Sequence, residues 1–120
     1  MRYCRRMRGL LLAMLLLGAC ATDLTMRDAK ALVAHGAMLL DVRTRAEFAA
    51  EHLPNAVNIP IKELAKRTHE VPRDRDVVVY CHSGARAGVA KIMLQKAGYK
   101  RVQNLGAMGH WNTEHRDWPL

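Results

Sequence analysis

Six residues carry the chemistry that this chain can do: Cys81-His82-Ser83-Gly84-Ala85-Arg86. They follow Val77-Val78-Val79-Tyr80, a β-branched and aromatic run that reads as a buried strand. Ala87 to Ala97 then reads as a helix. The cysteine therefore stands at the carboxyl end of a strand and just before the amino end of a helix, where open α/β sheets bind ligands. Backbone N–H groups at a helix start lack intrahelical partners, and the helix dipole favours negative charge there. A thiolate is stabilised in that position, which makes Cys81 a candidate nucleophile cupped by its own backbone. The competing reading is a small buried cysteine at a strand end. Gly84, which lets the backbone turn back, and Arg86, a fixed cation, favour the nucleophile.

The elements that must position this loop follow from patterning. Asp23 to Gly36 reads as an amphipathic helix, with Thr25 and Asp28 as a capping pair, Met26, Ala29, Leu32 and Val33 on its apolar face, and Gly36 at its end. Ala37 to Val42 is a continuously apolar strand, as expected of one buried on both faces. Thr44-Arg45-Ala46-Glu47 is a second capping box, opening a helix over Arg45 to Glu51 with Phe48 and Ala49 inward. Leu53-Pro54-Asn55 is a turn, and Ala56 to Ile59 a short strand stopped by Pro60. Ile61, Leu64 and Ala65 share one face of a short helix. Ala87, Ala90, Leu94 and Ala97 keep helical spacing before Gly98, and Arg101 to Leu105 is a last strand. Gly106 to Trp111 begins a closing helical segment, in which Trp111 and Trp118 cover the core and its edge. Helices alternating with strands predict an α/β domain, with a central, mostly parallel sheet of four to five strands and helices on both faces.

Composition excludes several functions. The formal charge of +8 is concentrated at the amino terminus, where Arg2, Arg5, Arg6 and Arg8 meet no acid; without residues 1–19 it falls to +4. The remaining bases form no stripe with interleaved aromatics, so nucleic acid is not an expected partner. His35, His52, His69, His110 and His115 lie at no ligand spacing with Cys or carboxylates, so neither a metal nor another cofactor is expected. Residues 1–8 are a positive n-region, and Leu10 to Leu17 an apolar core. Together with the small residues that follow, they have the layout of a secretory signal peptide and are too short to span a bilayer. Cys4 leaves with this leader and Cys20 sits at its end, so Cys81 remains the single thiol of the domain. That argues against an internal disulfide and against a dithiol oxidoreductase.

Two resemblances follow from these motifs. Leu17-Gly18-Ala19-Cys20 resembles the end of a bacterial lipoprotein signal, in which the chain is cut before the cysteine and the cysteine lipidated. Ala19-Cys20-Ala21 also fits ordinary signal peptidase cleavage, releasing a soluble protein from Thr22. The expected organisation is a leader over 1–19, a short tether over 20–24 and one domain over 25–120. The expected location is a bacterial periplasm, with the domain held at the membrane through a lipid on Cys20. The domain itself resembles the single-domain rhodaneses, or sulfurtransferases. Four segments carry this: Leu39-Leu40-Asp41-Val42-Arg43 with Glu47-Phe48, then His52 to Pro60, then Cys81 to Arg86, and finally Gly98-Tyr99 with Val102, Asn104-Leu105-Gly106 and Trp111. Glu51, Asn55 and Ala107 stand where that family usually has glycine; Asn tolerates positive φ, so the turn at Asn55 survives.

The resemblance implies a rhodanese-like three-layer fold and a ping-pong transfer of sulfane sulfur through a Cys81 persulfide. A related phosphatase loop has five residues between Cys and Arg; the four here suit sulfur. Thiosulfate or another small anion would be the donor, and a thiol or cyanide the acceptor. His82, Ser83, Gly84, Ala85 and Arg86 would form the substrate-binding loop, its N–H groups cupping the outer sulfur and Arg86 facing the donor's oxygens. Asp41 and Arg43 read as structural residues near the site, with Arg43 paired to Glu47 four residues on. The alternatives are a non-catalytic rhodanese-like binding module and a thiol sensor at the cell envelope. Growth with labelled palmitate should label the mature chain at Cys20; a chain starting at Thr22, or no label, would overturn the lipoprotein reading.

Overall fold

The computed structural model describes residues 26–111. The leader, Cys20, the Thr25 cap, the Met26 side chain, His115 and Trp118 lie outside the described residues. In chain order the elements are helix α1 (Met26–Ala34), strand β1 (Met38–Asp41), helix α2 (Arg45–Ala50), strand β2 (Val57–Asn58) and helix α3 (Ile61–Leu64). A 3-10 turn (Thr68–Glu70), strand β3 (Val77–Cys81), helix α4 (Ala85–Lys96), strand β4 (Val102–Ala107) and a second 3-10 turn (Met108–Trp111) complete them.

The four strands pair in the order β2-β1-β3-β4, and every pairing is parallel. Strand β3 lies inside the sheet and is buried along its whole length, as its unbroken apolar run requires. Its side chains alternate between two cores. Val77, Val79 and Cys81 pack with Leu64, Ala87, Ala90 and Leu94, so α3 and α4 cover that face. Val78 and Tyr80 pack with Ala29, Leu53 and Leu105 on the other, where Leu32, Val33, Met108 and Trp111 close the layer. The expected α/β sandwich is therefore present, with four strands.

Local chemistry explains two of the element boundaries. Thr44 caps α2: its Oγ1 accepts from the Glu47 N–H at 3.2 Å, and a Glu47 carboxylate oxygen accepts from the Thr44 N–H at 3.3 Å. Asn55 takes φ 63°, the conformation expected of a residue standing in for glycine at that turn.

Several expectations are corrected. Helix α2 has no buried residue: Ala49 is exposed, and Phe48 is half-buried and stacked on the His52 ring at 3.9 Å. This short helix rides over the strand tips, where its polar groups find partners, and not on the apolar sheet face. Helix α4 starts at Ala85, two residues earlier than its apolar spacing suggests, because Gly84 at φ +100° already supplies the turn. It ends at Lys96, which leaves Ala97 exposed. Strand β4 runs on through Gly106 and Ala107, with a register shift opposite Val79 and Tyr80 and Gly106 at φ +87°. The closing segment over the described residues is a 3-10 turn, not an α-helix.

Leu94 is fully buried between α4 and the sheet. Leu94→Ala should cost about 2–5 kcal/mol of stability, read as a lower urea midpoint; a loss under about 1 kcal/mol would show that this side chain does not seat α4.

Candidate active site

The chain steps from β1 to β2 on one side and then to β3 on the other, so the order reverses between β1 and β3. Asp41 ends β1 and Cys81 ends β3, with Asp41 in register with Tyr80. The structure thus brings both predicted tips to the crevice at the carboxyl edge of the sheet.

Cys81 is wholly buried, and its Sγ accepts a hydrogen bond from the Gly84 N–H at 2.8 Å. The loop doubles back on its own sulfur within three residues. Only a residue comfortable at positive φ fits position 84; a Cβ there would stand 3.4 Å from the Gly106 backbone, an ordinary contact, so the backbone conformation and not space is what calls for glycine. Gly84, at the start of α4, thus lies beside Gly106 of β4. Gly106 is held in turn by its N–H donating to the Asn104 side chain at 2.7 Å. Outside the helix and strand ladders, no described group takes up the N–H groups of His82, Ser83, Ala85 or Arg86. His82, Ser83 and Ala85 are exposed, Gly84 and Arg86 half-buried. Residues 82–84 are thus a rim above the sulfur, while Ala85 and Arg86 belong to the first turn of α4.

Arg86 does not present a free fork. Its two terminal nitrogens grip the two carboxylate oxygens of Glu47 at 2.7 and 3.0 Å, tying α4 to α2 across 39 residues of sequence. The expected Arg43–Glu47 pair is absent. Arg43 turns the other way and binds Asp41, its Nε at 3.1 and 3.0 Å from the two carboxylate oxygens and a terminal nitrogen at 2.7 Å. The reason is geometric: the tip of β1 is buried, so Asp41 (0% exposed) needs a cation more than the half-exposed Glu47 does, and Arg43 (3% exposed) is the one within reach. Arg43 also donates to the Glu51 carbonyl at 2.6 Å, and the Asn58 amide donates to the carbonyls of Asp41 and Arg43, both at 3.0 Å. Any residue at 51 supplies that carbonyl, so the missing glycine costs nothing.

Tyr80 and Glu47 are the site-supporting residues whose roles the sequence reading did not assign. The Tyr80 hydroxyl accepts from the Leu53 N–H at 3.1 Å, and the Arg43 guanidinium lies 5.6 Å from its ring centroid. Burial, with the Asp41 carboxylate nearby, pushes the Tyr80 phenol well above its ordinary range. Glu47 was legible as a helix cap, but nothing in a single sequence pairs it with Arg86. Among the described residues, no three His, Cys, Asp or Glu side chains converge as metal ligands.

The Arg86 guanidinium pulls the Glu47 carboxyl from an ordinary 4.5 down to about 2, and Arg86 is pushed up by the same bonds. A depressed carboxyl stabilises the folded state above its unfolded value and loses that contribution as pH falls through the folded one. Glu47→Gln should therefore destabilise the protein by a constant amount above about pH 4.5, the difference shrinking toward pH 2. Denaturation midpoints across that range check it; a difference independent of pH would show that the ion pair contributes nothing.

Relatives place this geometry in a family. Residues 25–114 match the model of the rhodanese-like domain. A sulfurtransferase of Allochromatium vinosum is 47% identical over 68 residues, covering 57% of this chain and 64% of that protein. The thiosulfate sulfurtransferase PspE of Escherichia coli is 41% identical over 71 residues, covering 58% of this chain and 68% of that one. The match therefore spans just under two thirds of the first relative's length. Among solved structures, a human single-domain sulfurtransferase superposes with a TM-score of 0.68 at 29% identity, covering 78% of this chain and 98% of that one. A rhodanese from Escherichia coli solved with anions gives 0.59 at 33% identity, covering 66% and 95%. The fold, the strand-tip crevice and these matches agree: the chain belongs to the rhodanese-like family and has single-domain sulfurtransferases among its homologues.

Proposed function

We propose that this chain is a sulfurtransferase that moves a sulfane sulfur from thiosulfate, or a similar small anionic donor, to a thiophilic acceptor through a persulfide on Cys81. The observation that carries the reading is the hydrogen bond from Gly84 N–H to Cys81 Sγ at 2.8 Å, inside a loop whose other N–H groups have no backbone partner among the described residues outside the helix and strand ladders. In the first half-reaction the Cys81 thiolate attacks the outer sulfur of thiosulfate. An S–S bond forms on Cys81, the donor's S–S bond breaks, and sulfite leaves with the electron pair. The new bond, about 2 Å long, carries the outer sulfur and its negative charge toward the loop's N–H groups. In the second half-reaction an acceptor thiolate or cyanide attacks that outer sulfur, and Cys81 leaves as the thiolate. No electrons are gained or lost overall. Arg86 acts here as a positioning residue: clamped by Glu47, it fixes the first turn of α4 under the loop. Read with the leader expected from residues 1–19, the transfer takes place in a bacterial envelope, with the domain held at the membrane through Cys20.

Incubation with thiosulfate should add the mass of one sulfur atom to the chain, and cyanide should then remove it as thiocyanate. Cys81→Ala should do neither. A wild-type chain that takes up sulfur from neither thiosulfate nor another sulfane donor would overturn the enzyme reading in favour of a binding module.

A further inference from the structure

The solvent face of α4 carries an apolar strip where a surface helix is normally polar. Ala87, Ala90 and Leu94 point into the sheet. Directly opposite, at helical spacing, stand Ala85, Val89, Ile92 and Lys96. Val89 is 52% exposed and Ile92 53%, two of the three large apolar side chains exposed among the described residues. The stripe begins at Ala85, the residue after Gly84, and Ile92 lies about 10 Å farther along the axis. A molecule seated on it would also cover the rim above Cys81.

The stretch of chain that carries this stripe is basic. Residues 77–111 contain five Lys or Arg and no Asp or Glu. Arg86 is paired to Glu47 and Arg101 to Asp76, but Lys91, Lys96 and Lys100 form no ion pair among the described residues. An apolar strip on a helix that also carries two lysines without ion pairs among the described residues, beginning beside a sulfur loop, is complementary to an apolar surface that bears carboxylates. We propose that α4 docks a thiol-bearing acceptor protein whose reactive cysteine is flanked by apolar residues and carboxylates. This rests on the sulfurtransferase reading and names its acceptor class. The acceptor thiol loses its proton to solvent, its thiolate attacks the outer sulfur of the Cys81 persulfide, the bond to Sγ breaks with its electron pair going to Cys81 as the thiolate, and the acceptor leaves as the persulfide.

The test uses the full chain loaded from thiosulfate and two synthetic cysteine peptides, identical except for Glu or Lys beside a Leu-Leu pair. At low salt the Glu peptide should drain sulfur from Cys81 at least about tenfold faster than the Lys peptide. That advantage should shrink as added salt shortens the screening length. Expressed relative to each variant's own rate with cyanide, it should vanish in V89S/I92S and reverse in K91E/K96E. Anisotropy of the labelled Glu peptide on the Cys81→Ala chain reads docking without any transfer, and the same preference should appear there. Equal binding and equal rates for the two peptides would overturn the proposal. So would self-association, or adsorption to phosphatidylglycerol vesicles, that V89S/I92S abolishes, since either would assign the face to a different occupant. A chain that binds the Glu peptide but never accepts sulfur would refute the enzyme reading alone.

Discussion

The buried ion pair at the tip of β1 is the constraint around which the carboxyl edge of the sheet is arranged. Asp41 and Arg43 are both out of solvent, and a charge in that position is tolerable only when fully paired. The pair meets this demand by recruiting its surroundings. Arg43 reaches the carbonyl that follows α2, Asn58 of β2 ties down the two carbonyls beside the pair, and the Tyr80 ring lies against the guanidinium. Removing one partner would strand the other, at a cost of about 3–5 kcal/mol. Three connections are thereby held in one arrangement, beside the strand that ends in Cys81.

A second, softer clamp lies on the other side of the cysteine. The Arg86–Glu47 pair is half-exposed and contributes less to stability, but it joins the helix after the loop to the helix after β1. The two clamps divide the work. One makes the β1 tip rigid; the other registers the start of α4 against it. Between them lies the backbone of residues 81–86, with Gly84 at positive φ closing the turn onto the sulfur. The loop is preorganised by packing and by charge without a metal ligand or a disulfide contributing to the described site.

The same helix that begins at this loop carries an apolar outer face, so α4 is chemically two-sided: alanines and a leucine seat it, while Val89 and Ile92 face out. Small residues on the inner side let the helix approach the sheet closely. Helix position, loop geometry and outer face are therefore linked through one element. A shift of α4 would alter the cup around the sulfur and the surface beside it together.

The amino-acid sequence by itself determined the alternation of helices and strands, the burial of Val77–Tyr80, the Thr44 capping box and the position of Cys81 at a strand-to-helix junction. Each of these is a local matter of periodicity, capping or turn chemistry. Asn55 at positive φ belongs with them, since its backbone preference is intrinsic. Pairings of charge were legible only in part. Sequence spacing favoured Arg43 with Glu47, whereas burial of Asp41 drew Arg43 inward and left Glu47 for Arg86. The inward placement of Phe48 and Ala49 failed for a related reason: a short helix over the strand tips answers to polar partners there, not to the sheet face. The extension of β4 depended on the pairing of Gly106 and Ala107 with Tyr80 and Cys81, which joins parts of the chain that no local pattern connects. The tertiary structure alone decided which charges are buried and which partners lie in reach, because burial is a property of the assembled sheet and of no single stretch of chain.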